Sequence, residues 1–519
     1  MSDSPEVFDF AILGSGIACT LTLIAFLEKL RAEGRKSTVT VAVVEKEPQF
    51  WRGFPYGQRS SENSLIITTL GEFLPDEEFA EFVSWLETEQ PRWMQELRDS
   101  GEVGLSWLEN NEAAIAARDW NEVYIPRVLY GQFAESRLTA AIEHARLDGV
   151  AEVKLIQSEA TDVEGLKTGY RVTLRHHDAV STLHSRVVLL AIGSPPVPPL
   201  EGSEGAQGSY FSIENAYEPG LSENLAALQL KLEAIADPDD RNFLIVGANA
   251  TALETIYMIA RRPGLRNALN KVVSLSLGGR LPCKMTRDRF RPQEFTRIRA
   301  LMTSTGVTAR DIITAAEMDV GELDPAQLEV GDTFHQLSCD LVELLVKLDE
   351  DGQREFHRAY GMRFSRLIRR AGAEYRDAAD ELLETGQLEL LAGRFVSLHP
   401  IAGKEAARLT IGTDQGDVDH PLNFAAVLNC SGFERLSMSS RSPLIANLVR
   451  RELATVNDTG RGFVVDDNFE TAANLFVCGP MLGGVFNSSA RFWHVENVRR
   501  IHAISELMAP ILVARVCNE

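Results

Sequence analysis

The stretch from Phe8 to Leu30, FDFAILGSGIACTLTLIAFLEKL, constrains the fold more than any other part of the chain. Its first residues, FDFAILG, form an apolar run of the kind that is buried on both faces of a parallel sheet. A turn of small residues begins at Gly14, and an apolar segment with basic residues near its end then predicts a helix that is capped by Gly34. This order predicts the first half of a βαβ unit.

The next apolar stretch, STVTVAVVEKE, predicts a second strand with Glu45 near its end. In a dinucleotide-binding turn, the first glycine tightens the chain and the second lets the backbone approach a pyrophosphate at the positive end of the helix, while the carboxylate accepts hydrogen bonds from a ribose. Cys19 replaces the third glycine or alanine, a position that needs only a small side chain. The predicted dinucleotide contacts are Gly14, Ser15, Gly16, Ile17, Ala18, Glu45 and Lys46. The alternative is a strand-to-helix corner that binds no nucleotide.

The bulk properties exclude several classes of function. At 519 residues, the chain is long enough for two or three domains. Its formal charge of −22 argues against nucleic-acid binding, which needs clustered Lys and Arg. It has no apolar run of membrane-spanning length and its first residues lack signal-peptide features, so we expect a cytoplasmic protein that binds no membrane. The six cysteines form no CxxC pair and the histidines show no metal-binding spacing, so we predict no metal site.

A second strand, turn and helix are predicted in NFLIVGANATALETIYMIARRPG, with KVVSLSLGG as the next strand. This internal repeat is typical of two mononucleotide-binding folds. Gly247 begins the turn, but Asn249 replaces the second glycine, and we expect its side chain to crowd a pyrophosphate. Either NADPH or NADH binds here, or the fold is vestigial and binds no nucleotide. If the dinucleotide is NADPH, Arg280 is a candidate to contact its 2′-phosphate, and the alternative is that Arg280 is a solvated surface residue. Further positive charge follows at Arg287, Arg289, Arg291, Arg297 and Arg299.

These segments resemble flavoproteins with two dinucleotide-binding domains, and more narrowly a bacterial FAD/NAD(P)-binding family related to the N-hydroxylating flavin monooxygenases. The resemblance rests on AILGSGIACTLTLIAFL, GFPYGQRSSENSLIITTLGEFL with FVSWL after it, YIPRVLYGQF, LELLAGRFVSL, VLNCSGF and LFVCGPMLGGVF. It implies that the first motif binds FAD. By position, it also implies that Tyr56 and Arg127 lie beside the flavin, that the strand ending at Ala191 and Gly193 is the hinge between the domains, and that Gly479 and Pro480 make a late FAD contact.

The predicted fold is α/β, with two Rossmann-like dinucleotide-binding domains of three layers each and a helical insertion. The prolines after Gly193 end the last strand of the first domain, because proline cannot continue a central strand. The predicted division is residues 1–200 for the first part of the FAD-binding domain, 201–284 for the first part of the NAD(P)-binding-like domain, 285–386 for the helical insertion, 387–432 for the return strands and 433–519 for the C-terminal part of the FAD-binding domain.

The resemblance implies an FAD-dependent oxidoreductase. The activity it implies is that of an NAD(P)H-dependent monooxygenase, which oxygenates a small amine or amino-acid-like substrate through a flavin hydroperoxide. The helical region is predicted to exclude water from the pocket. The residues predicted to face the substrate are Arg127, Tyr130, Asn487 and His494. Two alternatives remain: a flavin-dependent oxidase or dehydrogenase with little use for NAD(P)H, which Asn249 favours, and a non-catalytic flavin-binding redox partner.

Overall fold

The computed structural model describes residues 6–34, 37–285, 295–323 and 333–517. The strands are β1 (Glu6–Leu13), β2 (Val39–Glu45), β3 (Ala151–Gln157), β4 (Glu159–Gly165), β5 (Tyr170–His176), β6 (Ala179–Leu190), β7 (Phe211–Ile213), β8 (Asn242–Val246), β9 (Lys271–Ser276), β10 (Cys283–Lys284), β11 (Arg370–Ala371), β12 (Leu388–Ala392), β13 (Arg394–Pro400), β14 (Ala407–Thr413), β15 (Gly416–Phe424), β16 (Ala426–Asn429), β17 (Glu470–Ala472), β18 (Leu475–Val477), β19 (Val485–Phe486) and β20 (Arg491–Phe492).

Helices connect and cover these strands. They are α1 (Ile17–Ala32), α2 (Gly53–Tyr56), α3 (Leu70–Phe73), α4 (Asp76–Thr88), α5 (Gln90–Asp99), α6 (Glu102–Ala117), α7 (Arg127–Leu147), α8 (Leu221–Glu233), α9 (Ala250–Ala260), α10 (Pro263–Ala268), α11 (Thr296–Thr303), α12 (Ala309–Gly321), α13 (Thr333–Lys347), α14 (Glu350–Glu355), α15 (Gly361–Leu367), α16 (Ala373–Glu384), α17 (Pro443–Arg450) and α18 (Val498–Cys517). No helix among the described residues is both long and apolar enough to cross a membrane.

The first sheet has the strand order β17-β18-β6-β1-β2-β3. Its central strands pair in parallel, and β1 is fully buried from Phe10 to Leu13, as its apolar run predicted. The long strand β6 continues into an antiparallel meander with β4 and β5. Helix α1 lies between α7 and α18, so the first helix is apolar on nearly all sides.

The second sheet has the order β12-β9-β8-β16-β7, with every pair parallel. An antiparallel sheet of β13, β14 and β15 packs beside it. Helix α9 packs against this sheet and against α16. Two parallel α/β units in one chain confirm the predicted α/β class.

The helices from α11 to α15 form a separate apolar core around Phe295, Phe334 and Phe356. Two separate helices, α15 and α16, follow α14, because the chain leaves α15 to form β11, which pairs with β10 before α16 begins. Tyr375 of α16 is buried in the main core rather than in the helical one. The division of the chain into domains at residues 200, 284, 386 and 432 stays a prediction.

Candidate dinucleotide sites

The turn between β1 and α1 requires a glycine at its first position. Gly14 has φ +92°, and its N–H donates a hydrogen bond to the Val44 carbonyl at 2.8 Å. A Cβ atom on Gly14 would lie 2.5 Å from the carbonyl oxygen of Ala191. The fold itself therefore excludes any other residue here.

The second glycine of this turn is not required by the fold. Gly16 is the N-cap of α1, with φ −74° and ψ −172°, a conformation that any residue adopts. A Cβ atom there would meet nothing closer than the Gly53 Cα at 3.5 Å, an ordinary contact. The absence of a side chain at Gly16 thus leaves the backbone N–H groups of the first turn of α1, which includes Ile17 and Ala18, open to a ligand.

Glu45 lies at the end of β2, where the sequence places a ribose-binding carboxylate. Its Oε2 accepts hydrogen bonds from the backbone N–H and the hydroxyl of Ser15, at 2.8 and 2.9 Å, and its Oε1 accepts one from the Glu47 N–H at 3.0 Å. These contacts hold the carboxylate beside the turn. A cleft of about 420 Å³ lies at this edge of the sheet and is lined by Lys46, Gln157, Ser158, Glu159, Arg175, His176 and His177. The carboxyl edge of a parallel sheet is where such folds bind dinucleotides.

The end of β6 and the segment after β18 meet the same turn. The Ala191 N–H donates to the Leu13 carbonyl at 2.8 Å, and Gly193 follows with φ +75°. A Cβ atom on Gly479 would lie 3.0 Å from the Cβ of Ala18. The structure therefore brings together the first glycine turn, the predicted hinge and the predicted late FAD contact, although they are far apart in sequence.

The segment after Gly479 forms a turn and a hairpin before the last helix. Pro480 lies in a four-residue 3₁₀ turn, Gly479–Leu482, and the hairpin of β19 and β20 separates this turn from α18, which begins at Val498. No α-helix N-terminus therefore lies at Gly479.

The loop after β2 folds back over the first turn. Gly53 has φ +62°, and a Cβ atom on it would lie 2.9 Å from the Gly16 Cα. The Thr20 hydroxyl donates to the Trp51 carbonyl at 2.6 Å, which fixes the loop on α1. Tyr56 follows, and its ring lies edge-on to that of Tyr130, with centroids 5.6 Å apart. The loop therefore covers this edge of the sheet.

Each of the four predicted substrate-facing residues, Tyr130 and Asn487 among them, has a hydrogen-bond partner for its side chain. Tyr130 is fully buried among aromatic rings, its hydroxyl donates to Glu78 Oε1 at 2.8 Å, and burial raises its pKa well above the ordinary value. Asn487 accepts hydrogen bonds from the N–H groups of Ser489 and Ala490, at 3.0 and 2.7 Å, within its own turn. Tyr130 thus packs in the protein interior, and Asn487 holds the shape of its own turn.

Arg127 joins the two α/β units. Its guanidinium donates two hydrogen bonds to the Glu254 carboxylate of α9, at 2.6 and 3.0 Å, and Glu254 is 2% exposed. The Tyr217 hydroxyl donates to the same carboxylate at 2.7 Å. Burial lowers the pKa of Arg127, but the Glu254 carboxylate outweighs this effect, so the net shift is upward and Arg127 stays charged. Glu254 is not among the site residues predicted from the sequence, although a carboxylate within the apolar helix ATALETIYMIA is a signal of a buried partner.

The second turn repeats the geometry of the first. Gly247 has φ +130°, its N–H donates to the Leu275 carbonyl at 2.8 Å, and a Cβ atom on it would lie 2.2 Å from the Cys430 carbonyl oxygen. Asn249 caps α9 with φ −97° and ψ −160°, the extended conformation of Gly16 rather than a left-handed one. Its side-chain Oδ1 accepts a hydrogen bond from Arg369 at 2.9 Å. The Asn249 side chain is thus held by a neighbouring arginine.

The predicted basic residues have different surroundings. Arg280 is exposed, and within the described ranges it forms no hydrogen bond or ion pair. Arg297 pairs with Asp319 and Glu322, and Arg299 lies 4.0 Å from Asp340, so these two charges are balanced locally. Arg287, Arg289 and Arg291 lie outside the described residues.

His494, the last predicted substrate-facing residue, lies beside positive charge. The Arg500 guanidinium contacts both ring nitrogens at 3.2 Å and donates to the His494 carbonyl at 2.8 Å. Burial lowers the pKa of His494 to about 3, with help from Arg500, Arg369 and Arg461. The imidazole is therefore neutral near pH 7.

Comparison with known proteins agrees with this geometry. Residues 11–195 match the model of a family described as FAD-NAD(P)-binding. Uncharacterized proteins of Mycobacterium tuberculosis and Mycobacterium bovis are each 34% identical to the chain over 517 residues, which cover 98% of this chain and 96% of theirs.

Solved structures show the same fold at low sequence identity. An ornithine N-hydroxylase of Kutzneria sp. 744, with reduced FAD, NADP+ and L-ornithine, is 15% identical, with a TM-score of 0.54 over 98% of this chain and 99% of that one. A cadaverine monooxygenase of Erwinia amylovora bound to FAD is 12% identical, with a TM-score of 0.53 over 99% and 95%. An L-lysine 6-monooxygenase of Pseudomonas syringae is 14% identical, with a TM-score of 0.50 over 98% and 100%.

Proposed function

We propose that the protein is an FAD-dependent monooxygenase that is reduced by NADPH or NADH. The premise is that the chain belongs to the family of these mycobacterial proteins and carries an FAD-NAD(P)-binding domain. One observation carries the proposal. Two glycine turns of matching geometry, at Gly14 and Gly247, each open a helix at the carboxyl edge of a parallel sheet. A chain with two such turns has a place for a flavin dinucleotide and a nicotinamide dinucleotide.

The first turn fits FAD. Gly16 leaves the N-terminus of α1 uncovered by a side chain, and this end of a helix favours a diphosphate because its N–H groups are unpaired and its dipole is positive. Glu45, held by Ser15, is the carboxylate for a ribose hydroxyl. Bound FAD would supply hydride acceptance and oxygen activation, and the protein positions the flavin and excludes water.

The second turn fits a nicotinamide dinucleotide. From the sequence alone, Asn249 is expected to crowd a pyrophosphate with its side chain. Its backbone has the same conformation as Gly16, and its side chain is bonded to Arg369. This placement weakens the argument for an oxidase that makes little use of NAD(P)H. Arg280, which is exposed and without a described partner, is our candidate for a 2′-phosphate contact.

The helical core from α11 to α15 supports the exclusion of water. The Trp493 indole N–H donates to the Ser365 hydroxyl at 2.6 Å, and a Cβ atom on Gly361 would lie 2.9 Å from the Trp493 ring. His357 lies against Phe486 of β19, with ring centroids 5.5 Å apart. The helices therefore pack against the hairpin that follows the predicted FAD contact at Gly479. A site that activates oxygen needs to be covered in this way, because water has to be excluded from it.

The proposed substrate is a small amine or amino-acid-like molecule. It is supported by the fold that the chain shares with an ornithine hydroxylase, a cadaverine monooxygenase and a lysine monooxygenase. Arg127 is occupied by Glu254, so we propose that it orients the two units rather than contacting the substrate. His494 is neutral and half-buried, and it lies beside the positive charges of Arg500, Arg369 and Arg461. We keep it as a candidate to contact the substrate.

Anaerobic reduction tests this function. We expect NADPH or NADH to bleach the flavin of the purified holoprotein. After oxygen is admitted, we expect the enzyme to convert one member of a panel of amines and amino acids to its hydroxylamine. The readouts are flavin absorbance in a stopped-flow instrument and product mass. Bleaching by neither dinucleotide would contradict a monooxygenase. Reduction by a panel amine without NAD(P)H would identify an oxidase or dehydrogenase instead, and an unreactive flavin would identify a redox partner.

A further inference from the structure

An unusual concentration of positive charge lies beside the second turn. It comes from three parts of the chain: the end of α15, the loops between β16 and β17, and the segment that leads into α18. We call these residues the arginine cluster. Its members are Arg366, Arg369, Arg435, Arg461, Arg500 and the neutral His494. Arg366, Arg369 and Arg435 thus lie within electrostatic reach of Arg461, and Arg500 lies with Arg369 and Arg461 around His494, although these elements are distant in sequence.

The arginine cluster lacks matching negative charge. None of its five arginines forms an ion pair within 4.0 Å of a described carboxylate, although many other arginines of this acidic chain do. Glu496, which is exposed, is the carboxylate that acts on Arg369, Arg461 and Arg500. Burial lowers the pKa of Arg369 and of Arg500 below the ordinary value for arginine. Holding uncompensated cations together costs free energy, which a bound anion would recover.

The arginine cluster also lies between the two predicted dinucleotide sites. Arg369 donates to the Asn249 side chain at 2.9 Å, which places it at the cap of α9. On the opposite side, a Cβ atom on Gly483 would lie 3.6 Å from the Cβ of Arg461, beside the turn that begins at Gly479. Arg461 and Arg435 are exposed, so a ligand can reach them from solvent.

We propose that the arginine cluster is an anion-binding site that takes a phosphate or carboxylate group of a ligand entering between the two turns. Guanidinium groups suit this role because their planar N–H pairs match the oxygens of both anions. The identity of the ligand rests on the proposed function. The anion is either a phosphate of the nicotinamide dinucleotide or the carboxylate of an amino-acid-like substrate.

Titration with simple anions tests the site without any turnover. Purified holoprotein in a phosphate-free buffer is titrated by calorimetry with inorganic pyrophosphate and, separately, with citrate. We expect saturable binding that weakens as salt is added. In Arg461→Gln, and in Arg435→Gln, the dissociation constant should rise about 10-fold to 100-fold, the loss expected for one charge-assisted hydrogen bond. Arg408→Gln is the matched control, because Arg408 is exposed, lies on β14 and has no described side-chain partner.

Flavin reduction then distinguishes the two sources of the anion. A higher NADPH concentration for half-maximal reduction in Arg461→Gln, but not in Arg408→Gln, would assign the cluster to the dinucleotide. An unchanged value with weakened anion binding would assign it to an acidic substrate. The proposal is overturned if the wild type binds neither probe, or if both cluster variants bind as tightly as the control. Failure of NAD(P)H to reduce the flavin would overturn the proposed function and leave the anion titration standing.

Discussion

A Gly16→Ala protein should fold as the wild type does and lose FAD. The backbone of Gly16 accepts alanine, and the added Cβ would meet only the Gly53 Cα at 3.5 Å. Alanine is a poorer N-cap than glycine, which offsets the gain from a less flexible unfolded chain, so we expect the stability to change by no more than about 1 kcal/mol. The same methyl group would stand where a diphosphate approaches the N–H groups of α1, and loss of these charge-assisted hydrogen bonds should weaken FAD binding about 100-fold or more.

Flavin content and melting temperature measure the two effects separately. Gly321→Ala is the control, since a Cβ atom on Gly321 at the end of α12 would have no neighbour within 4 Å. Gly14→Ala is unsuitable, because its Cβ would lie 2.5 Å from the Ala191 carbonyl oxygen and damage the fold itself. Full flavin content in Gly16→Ala would contradict the assignment of the first turn to a diphosphate.

Glu254→Gln should destabilise the protein strongly. The substitution keeps the shape of the side chain but leaves the Arg127 cation, which is largely buried, without its charge partner. Removing one partner of a buried ion pair costs about 3–5 kcal/mol, because the remaining charge is poorly solvated. Since this pair joins α7 to α9, we also expect slower reduction of the flavin by NAD(P)H. The measurement is the midpoint of unfolding in urea together with stopped-flow reduction.

An exposed pair provides the control. Glu350 and Arg354 lie 2.8 Å apart on the helical core, with side chains that are 73% and 51% exposed, so Glu350→Gln should cost about 1 kcal/mol or less. Replacing both buried partners, as Arg127→Met with Glu254→Leu, should recover much of the lost stability, because no unpaired charge remains. Equal destabilisation by Glu254→Gln and Glu350→Gln would show that the buried pair does not join the units as we infer.

The parts of the fold predicted from sequence are those set by local patterns. The apolar runs of β1, β2 and β8, the turns at Gly14 and Gly247, and the carboxylate of Glu45 follow from residue order and spacing, and the structure confirms their positions. A turn of this type dictates its own backbone geometry, so short segments are enough to identify it.

The parts that the sequence analysis missed depend on contacts between distant segments. Arg127 and Glu254 are 127 residues apart, and the flavin-side interpretation of Arg127 could not show that another side chain already occupied its guanidinium. Burial on α7 decides the environment of Tyr130, and hydrogen bonds within a turn decide that of Asn487. The expected clash between Asn249 and a pyrophosphate rests on the volume of the side chain alone. The direction of that side chain is set by its hydrogen bond to Arg369, 120 residues later. The roles of these residues, the domain boundaries and the cytoplasmic location stay predictions.

The absorption spectrum of the purified protein, before and after addition of FAD, tests the central claim most directly. If an adenine dinucleotide lies with its diphosphate at the start of α1, the protein should be yellow as isolated, or should take up one FAD per chain and quench its fluorescence. A colourless protein whose spectrum and fluorescence show no uptake of added FAD would contradict the account.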